Sequence, residues 1–279
     1  MFKATHSVNP VRQETPANAD NKTLRRKTTR DKSNASPLNS PRMYLLDLTL
    51  PSPAANLACD EALLDACEED AGLEVLRFWE PKEYFVVLGF SNSASKEVNL
   101  EACEKSGLGV FRRCSGGGAV LQGPGCLNYS LILSMTVRSQ LETIPAANQY
   151  IMGIHREVLS SALGRPVELR GHTDFAIGGR KFSGNAQRRK RRALIFHGAF
   201  LLAFDIALME KFLTMPSREP DYRRGRPHAD FLMNLNVPAP AIKKALCDAW
   251  SAGPELPDVP DCGRLVAEKY SRNEWNLKF

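Results

Sequence analysis

The segment RRCSGGGAVLQGPGCLNYSL, residues 112–131, places three consecutive glycines between two stretches that are typical of β-strands. GVFRR before the glycines, and AVLQ and LNYSLIL after them, are rich in β-branched and aromatic side chains, which favour strands. Because glycine lacks a Cβ atom, such a loop can bring backbone N–H groups close to an anion. The segment predicts strands joined by a glycine-rich turn, which is either an anion-binding loop or a plain flexible turn.

A second segment, TDFAIGGRKFSGNAQRRKRRALIFHGAFLL, residues 173–202, is typical of consecutive strands. Gly178 and Gly179 form a two-residue turn signal that needs positive φ at both positions, so Lys181 lies early on the returning strand. If Lys181 points inward beside the glycine loop, its ammonium can bridge a carboxylate and a phosphate. The alternative is a surface lysine. Arg188 to Arg192 are interpreted as a solvated loop.

Helix signals alternate with these strand signals from Met43 onwards, without a repeat or a linker-like segment. This pattern predicts an α/β fold, a sheet with helices on its faces rather than a simple βαβ array. Further strands are expected at EVLRFW, EYFVVLG and VEL, and an irregular, proline-rich end is expected after the last helix. Helices are expected after Asn56 as N-cap, between Asn99 and Gly107, over 146–163, after Asp205 as N-cap and over 240–250.

Composition narrows the class of protein. The chain has 279 residues, 43% hydrophobic and 24% charged, which is typical of a globular protein. Residues 1–42 contain 9 Lys+Arg against 3 Asp+Glu, which accounts for the whole net charge of +6. We therefore predict a disordered basic N-terminal extension over residues 1–42, one domain over 43–279, and no nucleic-acid partner.

Targeting signals point to the cytoplasm. The longest nearly apolar run, Ala193 to Phe204, is too short to span a bilayer, so no membrane association is expected. The chain offers no apolar export segment near its start. Its seven cysteines have no CxxC pair and no His at zinc-ligand spacing, which predicts reduced thiols and no structural metal. Neither GxxxxGK[ST] nor GxGxxG is present, which disfavours P-loop and Rossmann enzymes.

Taken together, the two segments closely resemble the lipoate-protein ligase family, which shares its catalytic fold with biotin-protein ligases. The resemblance covers Tyr44 to Phe279 and includes PHADFLMNL (227–235) and EKYSRNEWNL (268–277). It implies a mixed, largely antiparallel sheet flanked by helices. It also implies a lipoate-protein ligase-like catalytic domain over 43–279, without the C-terminal accessory domain of larger ligases.

The resemblance implies a site as well. Lys181 matches the catalytic lysine of the family, and Gln122 stands where the family commonly has a histidine. Glutamine can hydrogen-bond a ligand but cannot carry a proton at neutral pH. Phe111, Val120, Leu131 and Phe182 could wall an apolar tunnel for the acyl chain. The other positions implied to bind substrate or adenylate are Arg112, Arg113, Ser115, Gly116, Gly117, Gly118, Asn128, Asp174, Ser183, Gly184, Ala186, His197 and Gly198; no residue is assigned to a metal.

The activity implied is an ATP-dependent ligase that, with Mg²⁺, converts lipoic or octanoic acid to acyl-AMP and transfers the acyl group to a lysine. The acceptors implied are lipoyl-domain proteins, namely E2 subunits of 2-oxoacid dehydrogenases and the glycine cleavage H protein. Whether the activity needs a separate accessory chain is left open. These expectations follow from the family and not from composition or spacing.

Two other functions remain open. One is an octanoyl or lipoyl transferase that takes its acyl group from a carrier protein or a lipoyl protein through a cysteine thioester. The positions at which such transferases carry that cysteine, within 160–180 or 201–240, hold none here. Cys114 beside the loop is interpreted as incidental, so adenylation is favoured. The other is a non-catalytic paralogue that binds acyl groups or lipoyl domains, for which Gln122 is the best support.

Overall fold

The computed structural model describes residues 42–279. The prediction of a disordered extension therefore lies outside the described residues, apart from Arg42, which begins the first strand. The strands are β1 Arg42–Asp47, β2 Leu73–Trp79, β3 Phe85–Leu88, β4 Gly109–Arg112, β5 Val120–Gln122, β6 Cys126–Ser134, β7 Glu168–Arg170, β8 Asp174–Ile177, β9 Arg180–Arg189 and β10 Ala193–Leu201. The helices are α1 Pro53–Glu69, α2 Ala94–Glu97, α3 Leu100–Lys105, α4 Ile144–Leu163, α5 Ala207–Phe212, α6 His228–Phe231, α7 Ala239–Trp250, α8 Gly263–Leu265 and α9 Asn273–Asn276.

Two sheets carry the fold. The larger has seven strands in the order β1-β2-β6-β10-β9-β8-β7, and the smaller has three in the order β4-β3-β5. In the larger sheet β1 and β2 are parallel, whereas the pairs from β2 through to β7 are antiparallel. The fold class, a mixed and largely antiparallel sheet flanked by helices, is confirmed.

The structure confirms some of the predicted turns and helix caps and shifts others by a few residues. Gly178 and Gly179 have φ of +56° and +72°, which confirms the two-residue turn between β8 and β9. Asn99 caps α3, since its side chain accepts a hydrogen bond from the Ala102 amide at 3.1 Å. Asp205 accepts one from the Ala207 amide at 3.2 Å, although the N-cap position of α5 is one residue later.

The prediction that Asn56 caps α1 was wrong. The helix begins at Pro53, four residues earlier than predicted, because Pro53 suits the first turn and Ser52 Oγ accepts a hydrogen bond from the Ala55 amide. Asn56 is buried inside the helix, where its side chain bonds the backbone N–H and C=O of Leu50. The end of the chain also differs from the prediction, because residues 263–276 form short helices after the proline-rich stretch.

The largest core lies on one face of the seven-stranded sheet, beneath α4 and α7. Phe175, Phe182 and Phe200 stack there with centroid separations of 6.1 and 6.4 Å. Helix α1 covers part of the opposite face, with Leu63 and Ile132 in its contact. No helix within residues 42–279 is long and apolar enough to cross a membrane.

Candidate active site

The register of the larger sheet aligns the site. Residues directly opposite one another on antiparallel strands share a face. Small residues occupy the centre of that face, and the space above them forms a cavity of about 700 Å³. One row across the strands contains Arg77, Ser130, His197 and Ala186, and the next contains Trp79, Asn128, Ala199, Gly184 and Asp174.

Most of the predicted site residues line this cavity. Arg112, Ser115 and Gly116 do not line it. Of the proposed apolar walls, Val120 and Phe182 contribute, whereas Leu131 is in the main core and Phe111 packs on Phe85. The predicted residues along the cavity are Arg113, Gly117, Gly118, Gln122, Asn128, Asp174, Lys181, Ser183, Gly184, Ala186, His197 and Gly198.

Arg112 lies beneath the glycine loop rather than in the cavity. Its fully buried guanidinium donates to the carbonyl oxygens of Gly89 and Asn92, each at 2.8 Å, and to that of Trp275 at 3.1 Å. Arg112 therefore ties the base of the loop to the C-terminal helix α9, which is a supporting contact that the motif does not reveal.

Arg113 shapes the loop itself. Its guanidinium donates to the Gly118 carbonyl at 2.9 Å, to the Gly116 carbonyl and to Ser115 Oγ at 3.1 Å. Burial lowers the pKa of Arg113 to about 10, so it remains charged at neutral pH. Gly117 has φ of +89°, and a Cβ there would lie 2.7 Å from Arg113 Nη2. Glycine is therefore required at this position.

Lys181 lies near the start of β9, and its side chain extends over the cavity face of that strand. Its Nζ lies 2.7 Å from Asp174 Oδ1, and Tyr222 donates to Asp174 Oδ2 at 2.9 Å. A Cβ at Gly184 would lie 2.6 Å from Lys181 Nζ, and a Cβ at Gly117 would lie 3.6 Å from the Ala186 side chain. The loop and Lys181 therefore converge above two small residues of β9.

A hydrogen-bonded chain runs beneath the loop. Ser115 Oγ lies 2.6 Å from His197 Nε2, and His197 Nδ1 lies 3.5 Å from Asp60 Oδ2. Burial alone would raise the pKa of Asp60, but the Arg77 guanidinium and hydrogen bonds from His197 and Ser130 hold it below its ordinary value. Asp60 is therefore a buried carboxylate that orients His197.

Sequence reasoning missed Asp60 and Arg77. Each carried a signal, because each is a charged residue inside an apolar pattern: Asp60 shares the buried face of α1 with Leu57 and Leu64, and Arg77 interrupts the strand EVLRFW. Buried charges are rare unless they are paired. The pairing itself could not be inferred.

Gln122 and Asn128 form a closed amide pair in the cavity wall. Gln122 Nε2 donates to Asn128 Oδ1 at 2.9 Å, and Asn128 Nδ2 donates to Gln122 Oε1 at 3.0 Å. Each amide keeps one N–H for a ligand. Gln122 is therefore held in place by its partner and supplies hydrogen bonds, not a titrating proton.

The segment between α5 and α6 contributes a further wall that sequence reasoning also missed. Arg218 and Arg223 lie along the cavity, with Glu219 and Asp221 nearby. Burial and the charge of Arg223 lower the pKa of His228 to about 4, so this histidine is neutral at pH 7. Arg218 supplies a cation that suits a phosphate, whereas Arg223 lies 3.8 Å from the Glu219 carboxylate.

The cysteines near the cavity and the possible metal ligands bear on which chemistry the site can perform. All seven cysteines are unpaired. Among the described residues Cys126 is the one cysteine along the cavity, and burial raises the pKa of both Cys126 and Cys114 to about 12. Residues 42–279 contain no group of three or more His, Cys, Asp or Glu side chains placed to hold a metal ion.

Comparison with known proteins identifies the family of this α/β domain. Residues 52–237 match the lipoyl protein ligase A/B catalytic domain. The chain belongs to this family, as its motifs predicted.

The proteins to which this chain is similar are named for two different reactions, octanoyl transfer and lipoate ligation. An octanoyltransferase LipM of Brevibacillus brevis is 27% identical over 266 residues, covering 81% of this chain and 95% of that protein. A lipoate-protein ligase A bound with ATP has a TM-score of 0.69 at 26% identity, covering 85% and 98% of the two chains. A bipartite lipoate protein ligase of Thermoplasma acidophilum, described together with its E2 lipoyl domain, has the same TM-score and identity, covering 85% and 96%.

Proposed function

We propose that this chain is an ATP-dependent lipoate-protein ligase that forms acyl-AMP from lipoic or octanoic acid and passes the acyl group to a lysine of a lipoyl domain. The carrying observation is that Lys181 and the glycine loop face one cavity, while the cysteine along that cavity has a pKa raised to about 12. A thiol that stays protonated at neutral pH is a poor nucleophile.

The residues present suit a nucleotide. Open space lies above Gly118, which lines the cavity and where a Cβ would meet no atom within 4 Å. The loop amides and Arg218 could therefore bind phosphate oxygens. Mg²⁺ usually binds through phosphate oxygens and one or two carboxylates, for which Asp174 and Asp221 are the candidates along the cavity.

In adenylation the carboxylate oxygen of the acid bonds to the α-phosphorus of ATP while the bond from that phosphorus to the departing pyrophosphate breaks. Two anions must therefore meet in a partly dry cavity where their repulsion is strong. The Lys181 ammonium lies where it can contact both, and Asp174 and Tyr222 fix its direction. Burial and the Asp174 charge raise the pKa of Tyr222, so its hydroxyl remains a donor. These preorganised donors stabilise the developing charge without moving.

Acyl transfer uses the same donors. The acceptor lysine attacks the mixed anhydride, the loop amides stabilise the oxyanion, and AMP leaves. Leu57, Trp79 and Val87 line the cavity with Val120, and burial of the acyl chain against them contributes about 0.8 kcal/mol per methylene.

The test is ATP–pyrophosphate exchange dependent on lipoate or octanoate, followed by mass spectrometry of a lipoyl-domain acceptor. We expect exchange and a mass increase in wild type and in Cys126→Ala, and both to be reduced about 10²–10³-fold in Lys181→Ala. Absence of exchange with both acids, with and without candidate accessory chains, would contradict the ligase.

A second candidate is octanoyl transfer from a carrier protein, favoured by the similarity to the B. brevis octanoyltransferase over 95% of its length. Transfer without ATP that is lost in Cys126→Ala or Cys114→Ala would support it. A chain that binds lipoyl domains yet transfers no acyl group would be the non-catalytic paralogue.

The partners and location proposed follow from this activity. E2 lipoyl domains are the first acceptors to test, because the T. acidophilum ligase is described with its own; the glycine cleavage H protein remains a prediction. Seven unpaired cysteines fit the reducing cytoplasm that the sequence predicts.

A further inference from the structure

A basic–aromatic patch lies at the surface beside the glycine loop, formed by Phe90, Arg188, Trp275, Lys278 and Phe279. Lys278 Nζ lies 3.9 Å from the ring centroids of both Phe90 and Trp275, and Arg188 Cζ lies 5.5 Å from that of Phe90. The Phe279 side chain is 55% exposed. Cations and aromatic rings therefore share one accessible surface.

The patch borders the cavity. Arg188 follows Ala186 by two residues on β9, so both side chains lie on the same face of the strand, and Ala186 lines the cavity. The Phe90 amide donates to the Ser115 carbonyl at 2.8 Å, which attaches the patch to the loop. A molecule seated on the patch is adjacent to the reacting centre.

Among residues 42–279, no carboxylate side chain lies within 4 Å of the charged nitrogens of Arg188 or Lys278. Burial and the cations Arg112, Lys269 and Arg188 lower the pKa of Lys278, and no carboxylate opposes them. Lys269 is paired with Glu61.

Lys190 and Arg192, which follow Arg188 closely in the chain, differ from Arg188 in having partners within the chain. Lys190 pairs with the Asp65 carboxylate, and the Arg192 guanidinium donates to the backbone carbonyl oxygen of Glu68. Arg188 forms no such pair among the described residues, so its charge is free to meet an anion from outside the chain.

We propose that the basic–aromatic patch docks an acidic surface of the acceptor domain, next to the lysine that is modified. This inference rests on the proposed function. An acceptor lysine has only a four-carbon stem, so the domain that carries it must rest on the rim of the cavity. Exposed aromatic side chains and arginine are enriched at protein interfaces, which favours a folded partner over a free nucleotide.

The experiment measures the dissociation constant of an unacylated E2 lipoyl domain for the full-length chain by isothermal titration calorimetry. Arg188→Glu and Lys278→Glu should each weaken binding about tenfold, and the double variant should weaken it further. The wild-type dissociation constant should rise with salt, because exposed charges are screened. Replacement of one acidic residue beside the acceptor lysine with Lys should restore binding to Arg188→Glu.

Lys244→Glu is the matched control, because Lys244 is 75% exposed on α7, across the sheet from the cavity, and makes the same charge change. It should leave binding within about twofold of wild type.

Wild-type affinity in the double variant, or no binding of any lipoyl domain by wild type at low salt, would overturn the docking surface. Absence of pyrophosphate exchange together with patch-dependent binding would instead overturn the ligase and leave the docking surface standing.

Discussion

The two faces of strands β6 and β10 differ in what they bury. On one face Leu127, Tyr129, Leu131, Phe196 and Phe200 are almost completely buried and pack beneath α4 and α7. On the other face the alternating residues are Asn128, Ser130, His197 and Ala199, which are polar or small and lie along the cavity. The same backbone thus supports a dense core and an open site, because successive side chains of a strand point to opposite faces.

We expect the core face to determine stability and the cavity face to determine activity. Buried polar groups such as Asp60 and Ser130 and an unfilled cavity both cost stability, and the aromatic core on the other face offsets that cost. Substitutions on the core face should change the free energy of unfolding, whereas substitutions on the cavity face should change turnover. Four predictions test this division.

The largest effect is expected at the core face. Phe196→Ala removes a fully buried ring and should lower the free energy of unfolding by about 3–5 kcal/mol, measured by urea denaturation. Val137→Ala, at a residue that is 49% exposed, is the control and should change it by less than about 0.5 kcal/mol. A loss below about 1 kcal/mol in Phe196→Ala would contradict the role assigned to this face.

Lys181→Ala, in contrast to Phe196→Ala, should reduce activity and leave stability almost unchanged. Acyl-AMP formation should fall by about 10²–10³-fold, the scale seen when one preorganised donor is removed, while the free energy of unfolding changes by less than about 1 kcal/mol because the ion pair with Asp174 is partly exposed. Single-turnover kinetics and urea denaturation measure the two quantities. Turnover like that of wild type would remove Lys181 from the site.

Lowering the pH should reduce the free energy of unfolding through His155, which is buried on the core face. Burial lowers the pKa of His155 to about 3, and its Nε2 accepts a hydrogen bond from Trp250 at 2.8 Å. The unfolded chain binds a proton near pH 6.5 and the folded chain does not, so this contribution to stability falls as the pH drops from about 6.5 towards 3. It should amount to about 2 kcal/mol between pH 7 and pH 5.

The check is urea denaturation of wild type and His155→Gln at both pH values. The variant should lose less stability on acidification, since glutamine does not titrate. His228 contributes in the same direction in both proteins. Equal losses would show that His155 is not held neutral.

The smallest effect is expected from Gly184→Ala on the cavity face. The added Cβ would lie 2.6 Å from Lys181 Nζ and 2.8 Å from its Cε, so the flexible end of Lys181 must move. We expect turnover to fall about tenfold with little change in stability. Gly153→Ala in α4, where a Cβ meets nothing within 4 Å, should keep wild-type turnover. Equal turnover in both variants would contradict the contact between Lys181 and Gly184.

Local patterns were sufficient for most elements. The Gly178–Gly179 turn, the Asn99 cap and the strands on either side of the glycine loop depend on neighbours within a few residues. The cap of α1 was misplaced because Ser52-Pro53 competed with Asn56 over the same turn. Lys181 was identified as a candidate because the turn before it sets its place on β9.

Long-range contacts were not predictable in the same way. Ser115 and His197 are 82 residues apart and Asp60 and His197 are 137 apart, so their meeting depends on how the glycine loop and α1 pack against β10. The burial of Arg112 under α9 and the assembly of the basic–aromatic patch depend on where the C-terminal helices pack. No local pattern encodes these distances.

The amino-acid sequence by itself determined the family, the strand-and-turn units and the lysine and glycines of the site, because each follows from residues that are close along the chain. The tertiary structure alone decided that Lys181 and the glycine loop share a cavity, that Arg112 supports the loop from beneath, and that Arg188 and Lys278 remain without a carboxylate partner among the described residues. The reason is physical: burial and electrostatic pairing act between whichever groups the sheet brings together, whatever their separation in the chain.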